Sequence, residues 1–230
     1  MLIQALLALL VPLSPRAPSP RDTLHRIDHL ILGAASLDSG LAEFERLTGV
    51  RPVFGGVHPG RGTQNALVAL GDGVYLEILV PRTDAPDGPD TTPLRGLKRL
   101  TPIGWAIRSS DLARSRDALQ SSGFATGEAE SGSRRKPDGG LLAWTAMGLG
   151  APAPLTAPFL IQWSRESAHP STTSPGGCTL VEVVIRDPKS ADLERLVRAF
   201  AVAVTARAAD TPAMTITLAC PGGRVTFGEG

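Results

Sequence analysis

The 230-residue chain lacks most of the signatures that would fix its chemistry outright. It has two cysteines, Cys178 and Cys220, and no CxxC pair, which speaks against a structural zinc knuckle. No serine sits in a GxSxG elbow, and neither cysteine has the surroundings of a nucleophile. Gly55-Gly56 and Gly60-x-Gly62 are glycine-rich, but no GK[ST] follows, so they do not make a P-loop. An excess of one charge is also missing. The 23 Lys+Arg and 22 Asp+Glu leave a net charge of +1, which gives no global field for nucleic acid or an anionic membrane surface. Lysine is scarce while Arg, Ala, Gly and Pro abound, a bias that does not point to a function.

The apolar run Leu2 to Leu13 (LIQALLALLVPL) falls short of the about 20 residues that a membrane-spanning helix needs. It fits the h-region of a signal peptide, yet no Lys or Arg precedes it and no clear small-x-small cleavage site follows. Residues 1–23 therefore read either as a leader or as an extension that makes no tertiary contacts. The expected setting is cytoplasmic, with export as the alternative if residues 1–20 act as a signal. Two half-buried thiols are the expectation for the cysteines, since a disulfide needs an oxidising compartment.

From Ile27 the pattern changes. Ile27–Gly33 is a β-rich run, Ser36 or Asp38 can cap a helix carrying Leu41, Phe44 and Leu47, and Gly49 stops it. After Val53-Phe54 comes a Gly-rich loop, Gly55 to Gly62, then strands at Asn65–Leu70 and Val74–Val80 around the turn Gly71-Asp72-Gly73. The same order recurs from Ile103–Arg108, with Asp111 in place of Asp38, Gly123 in place of Gly49, and the basic loop Ser133-Arg134-Arg135-Lys136 before strands at Leu141–Thr145 and Phe159–Trp163. The offset is about 73 residues. A shorter βαββ unit follows, with strands at Thr179–Ile185, Met214–Ala219 and Arg224–Phe227 and a helix from Asp187/Pro188 to about Val204. The expected class is α+β. The expected units are a leader (1–23), paired βαβββ modules (24–163) and a C-terminal βαββ unit of the same domain (164–230).

Asp28-His29-Leu30-Ile31-Leu32, the stretch His58-Pro59-Gly60-Arg61-Gly62-Thr63-Gln64-Asn65 and Tyr75-Leu76-Glu77-Ile78 together resemble the glyoxalase-like branch of the vicinal oxygen chelate superfamily. Gly104-Trp105-Ala106, Arg134 with Pro137-Asp138-Gly139, and Phe159–Trp163 with His169-Pro170 resemble its second half, so the likeness runs from 27 to about 228. It implies a cup-shaped mixed sheet with helices outside. It also implies metal ligands from the first and fourth strands of each module, and a divalent ion (Zn, Fe, Mn or Ni) holding neighbouring oxygens of a small metabolite. Lyase, isomerase or dioxygenase chemistry would follow. Members without metal bind a ligand and do no chemistry, and that is the alternative. A small-molecule ligand is the expected partner and a homodimer is compatible. Nucleic acid and a stable membrane span are not expected.

His29 and Glu77 are the candidate metal ligands, and Glu77 is the catalytic candidate. A neutral imidazole is a common ligand, with a half-buried histidine bonded to a carbonyl as the plain reading. Glu77 interrupts an apolar strand, and if buried it needs an ion or a cation such as Arg61 or Arg108. Gln162 is taken as its counterpart in the repeat, and no histidine opens the second module. His169 could complete a facial two-histidine, one-carboxylate set only if its loop folded back over the cup, whereas a turn at His169-Pro170 is the plainer reading. Arg61, Asn65, Arg135, Gln162 and the reserve candidate Glu182 are expected to contact substrate; exposed loop charge is the plain reading of both basic loops.

Overall fold

The computed structural model describes residues 27–136 and 138–228. The leader expected over residues 1–23 lies outside the described residues. Strand β1 (Ile27–Gly33) is buried along nearly its whole length, as a central strand covered on both faces must be. Helix α1 (Leu37–Thr48) starts where the Ser36 hydroxyl accepts from Ser39 N, and it ends at Gly49, whose φ of 74° only glycine adopts cheaply. Strands β2 (Val53–His58), β3 (Thr63–Ala69) and β4 (Tyr75–Pro81) complete the first module.

A short helix, α2 (Thr92–Arg95), leads to the second module. This comprises β5 (Thr101–Arg108), α3 (Leu112–Ser121) capped by Asp111, β6 (Thr126–Arg135), β7 (Leu141–Leu149) and β8 (Phe159–Trp163). The eight strands form one sheet in the order β2-β3-β4-β1-β5-β8-β7-β6. In each module the first strand pairs in parallel with the last, β1 with β4 and β5 with β8, and β1 and β5 meet antiparallel at the centre. This is the expected α+β fold of paired βαβββ modules.

Two segments expected as loops are strand. Gly55–His58 extends β2, and Ser133–Arg135 ends β6. The reason is closure of the sheet, whose edge strands β2 and β6 come together. A Cβ on Gly56 would stand 2.5 Å from the Arg135 carbonyl oxygen, and one on Gly55 would stand 2.4 Å from Asn65 Oδ1. The Gly-Gly pair therefore lets two backbones approach rather than making a flexible loop.

After α4 (Pro170–Thr173), the strands β9 (Thr179–Asp187), β10 (Thr205–Ala208), β11 (Ala213–Cys220) and β12 (Gly223–Phe227) form a second sheet in the order β10-β9-β11-β12, with α5 (Ser190–Ala199) between β9 and β10. The short β10 adds a strand to the expected βαββ order. This sheet packs on α1: Phe227 stacks on Phe44 at 5.8 Å, and Gly222 N donates to Thr48 O at 2.8 Å. The cysteines correct the expectation of free thiols. Antiparallel pairing of β9 with β11 sets Thr179 opposite Ala219, which brings Cys178 and Cys220 together as a disulfide.

Candidate functional site

The curled eight-stranded sheet encloses a cavity of about 890 Å³, within the usual range for a small-molecule site. His29 from β1 and Tyr75 and Glu77 from β4 line one half, with Asn65 from β3 and His58 from the end of β2. Pairing of Ile31 with Glu77 and of His29 with Tyr75 puts His29 and Glu77 diagonally across parallel strands on one face. His29 Nε2 stands 3.8 Å from Glu77 Oε2, and His58 Nε2 stands 3.7 Å from Glu77 Oε1. Both separations are too long for hydrogen bonds.

Glu77 is nearly fully buried, and its charge is answered by a relay. Asn65 Nδ2 donates to Glu77 Oε1 at 2.6 Å, and Arg134 Nη1 donates to Asn65 Oδ1 at 2.7 Å. Burial alone would raise the Glu77 carboxyl. The neighbouring His58 and His29, the Asn65 bond and the Arg134 charge outweigh it and hold the carboxyl below its ordinary value. Burial, joined by Arg134 and Arg61 against the opposing charge of Glu77, holds the His58 imidazole below its ordinary value.

Behind His29 lies Asp28, fully buried. Burial pushes its carboxyl up, but hydrogen bonds from His169 and His29 outweigh this and hold it far below the carboxylate range. A carboxylate can only accept, so His29 Nδ1 carries the proton toward Asp28 Oδ1 at 2.8 Å. Arg108 Nε at 2.8 Å, Trp163 Nε1 at 3.1 Å and His169 Nε2 at 3.1 Å complete the set around Oδ2. His169 thus folds back against Asp28 behind His29, outside the cavity lining. Arg108 pairs with Asp28 and does not pair with Glu77.

The other expected contacts divide. Asn65 is at the heart of the site. Arg61 lies exposed at the mouth, paired with Glu130 at 3.4 Å and Asp90 at 3.8 Å. Arg135 is exposed and points away, while its neighbour Arg134 is buried in the wall. Gln162 faces the helices and accepts from Leu112 N at 2.9 Å; Ile161 takes the inward position expected for it. Each is a one-residue slip, which in a strand turns a side chain to the opposite face. Glu182 is exposed on the second sheet and does not line the cavity. Asp28, His58 and Arg134 as part of the relay were not read from the sequence. Asp28 carried the same signal as Glu77, a carboxylate inside an apolar strand.

A family profile described as a glyoxalase-like domain matches residues 27–201. The chain belongs to the glyoxalase-like domain family. No curated protein matches the sequence. Among solved structures, this glyoxalase-like chain resembles a hypothetical protein from Staphylococcus aureus at 16% identity and TM-score 0.58, covering 89% of this chain and 86% of that one, which bears on the fold alone. Methylmalonyl-CoA epimerase from Mycobacterium tuberculosis matches at 17% identity and TM-score 0.45, over 63% of this chain and 91% of that one.

The residues present do not fit the metal ion that the resemblance implies. Among the described residues no three His, Cys, Asp or Glu side chains converge on one point. His29 and His58 flank Glu77, but Asn65 Nδ2 is wedged on the His58 side, 3.3 Å from His58 Nε2. The Arg134 guanidinium adds a positive charge just behind it. Only His29 Nε2 and Glu77 Oε2 remain uncommitted, fewer than the three protein ligands usual at a catalytic zinc site.

Proposed function

We propose that this glyoxalase-like protein binds a small hydroxylated molecule in its cup and moves a proton between that molecule and the His29–Glu77 pair without a protein-held metal ion. The observation that carries the reading is the 3.8 Å gap between His29 Nε2 and Glu77 Oε2. Each group has its other polar atom committed, His29 Nδ1 to Asp28 and Glu77 Oε1 to Asn65. Two buried acceptors facing each other call for a donor between them, and a hydroxyl or enol O–H supplies it. His29, oriented by Asp28, presents Nε2 to accept the proton, and Glu77 beside it stabilises the imidazolium that results.

A second reading, binding without turnover, draws on one observation. Glu77 is held low, which makes it a weak base. Incubation of hydroxyacetone with the protein in D2O, followed by proton NMR, separates the two. Proton transfer is expected to exchange the α-protons, and Glu77→Gln or His29→Gln should stop the exchange. Ligand-induced shifts without exchange would favour the binding reading. A stoichiometric divalent ion in elemental analysis of the purified protein would overturn the metal-free proposal.

A further inference from the structure

Aromatic residues are few in this chain, 6 Phe, 3 Trp and 1 Tyr. The cup nevertheless holds the single tyrosine, two of the three tryptophans and Phe159. Trp144 and Trp163, both half-buried, stand 5.5 Å apart on neighbouring strands β7 and β8. Their apolar neighbours in the lining are Met147 and Ile161. Both tryptophans and Phe159 come from the second module, whose strand β6 also brings Glu128, Glu130, Ser131 and Ser133 to the cup.

The tryptophans are not used alike. Trp105 is fully buried and its Nε1 donates to Thr156 O at 2.9 Å. Trp163 donates to Asp28. Trp144 lines the cavity, and its Nε1 has no partner among the described residues. Gly132, directly opposite Trp144 across the β6–β7 pair, has no side chain, and a Cβ there would stand 2.6 Å from Trp144 Nε1 and 2.7 Å from Cε2. The missing side chain at Gly132 therefore leaves the room in which the Trp144 indole packs close against β6 at the cavity wall.

We propose that the cup selects ligands carrying a planar, conjugated ring, and that the ring seats on the Trp144 indole while the hydroxylated end reaches His29 and Glu77. The proposal rests on the reading of the cup as a ligand site. Aromatic pairs gain energy beyond the area they bury because the negative face of one ring meets the positive edge of another, and a saturated ring of similar size forgoes this.

Calorimetric titration with 2-naphthol and with decahydro-2-naphthol tests this. The two alcohols share an oxygen and a bicyclic outline and differ in conjugation. The wild-type protein is expected to bind 2-naphthol about fivefold more tightly, a difference that Trp144→Leu should abolish and Trp144→Phe should largely restore. Gly132→Ala, by lifting the indole off the sheet, should act as Trp144→Leu does. Circular dichroism would establish that each variant is folded. Equal affinity for the two alcohols in the wild type, or a preference unchanged in folded Trp144→Leu, would overturn the ring proposal while leaving the cup a ligand site. Binding of neither alcohol would overturn both.

Discussion

Oδ1 of Asp28 lies 2.8 Å from Nδ1 of His29, which has no other acceptor among the described residues. The proton is thereby fixed on Nδ1, and Nε2 is left as a lone pair aimed at Glu77. Asp28→Asn should remove the charge that three further donors share and cost about 3 kcal/mol of stability. Histidine 15N NMR should also show His29 leaving the Nδ1–H tautomer. A variant with unchanged tautomer would refute the orienting role even if it were destabilised.

Acid should weaken this protein through the same two carboxylates. Asp28 and Glu77 are both held below their ordinary values in the folded state. The unfolded chain titrates near the reference values of about 3.9 and 4.3, so it takes up protons first as pH falls. The stabilisation is complete above about pH 5 and declines below it, as pH falls through the unfolded values toward the folded ones. Urea unfolding between pH 6 and pH 3 should show this decline, and Asp28→Asn and Glu77→Gln should each reduce its slope.

Closure of the sheet rests on glycine. Gly56 has a φ of 140°, and an added Cβ would meet the Arg135 carbonyl at 2.5 Å. Gly56→Ala should cost about 2 kcal/mol or more, combining strain with a parted seam. Hydrogen exchange should then quicken in β2 and β6 while β9 and β11 stay protected. Uniform loss of protection would mean that the seam is not a separate weak point.

Protein purified without reductant should titrate no free thiol, since Cys178 and Cys220 are bonded across 42 residues. Replacing both with serine should cost up to about 4 kcal/mol by the chain-entropy account. Two reactive thiols in the folded, unreduced protein would contradict the pairing.

Most strands were legible in the sequence, β3, β5, β7, β9, β11 and β12 among them, and those richest in buried aliphatic residues were the plainest. β1, β4 and β8 announce themselves through Leu30, Ile31, Leu32, Ile78 and Ile161, and the caps Ser36 and Asp111 marked both long helices of the modules. β6 was hidden because Glu128, Glu130, Ser131 and Ser133 show no apolar alternation, their inward face meeting a polar cavity rather than a core. The site was legible at His29, Asn65 and Glu77, which strand direction brings together. It was not legible at Arg134 against Arg135, or Ile161 against Gln162, because composition cannot set the parity of a strand whose bulges and ends are unknown. The disulfide depended on a strand pairing that the sequence separation does not encode.

Arg61 reaches from the β2–β3 turn to Glu130 on β6 and to Asp90 before α2, so the mouth of the cup is crossed by exposed ion pairs. Such pairs contribute about 1 kcal/mol or less each, and they weaken as salt shortens the reach of charge to about 10 Å at 0.1 M. The floor contacts of Glu77 are buried and escape that screening. Rates of ligand exchange should therefore rise with ionic strength more than equilibrium affinity falls, which makes the mouth a kinetic latch set by the salt of the surroundings.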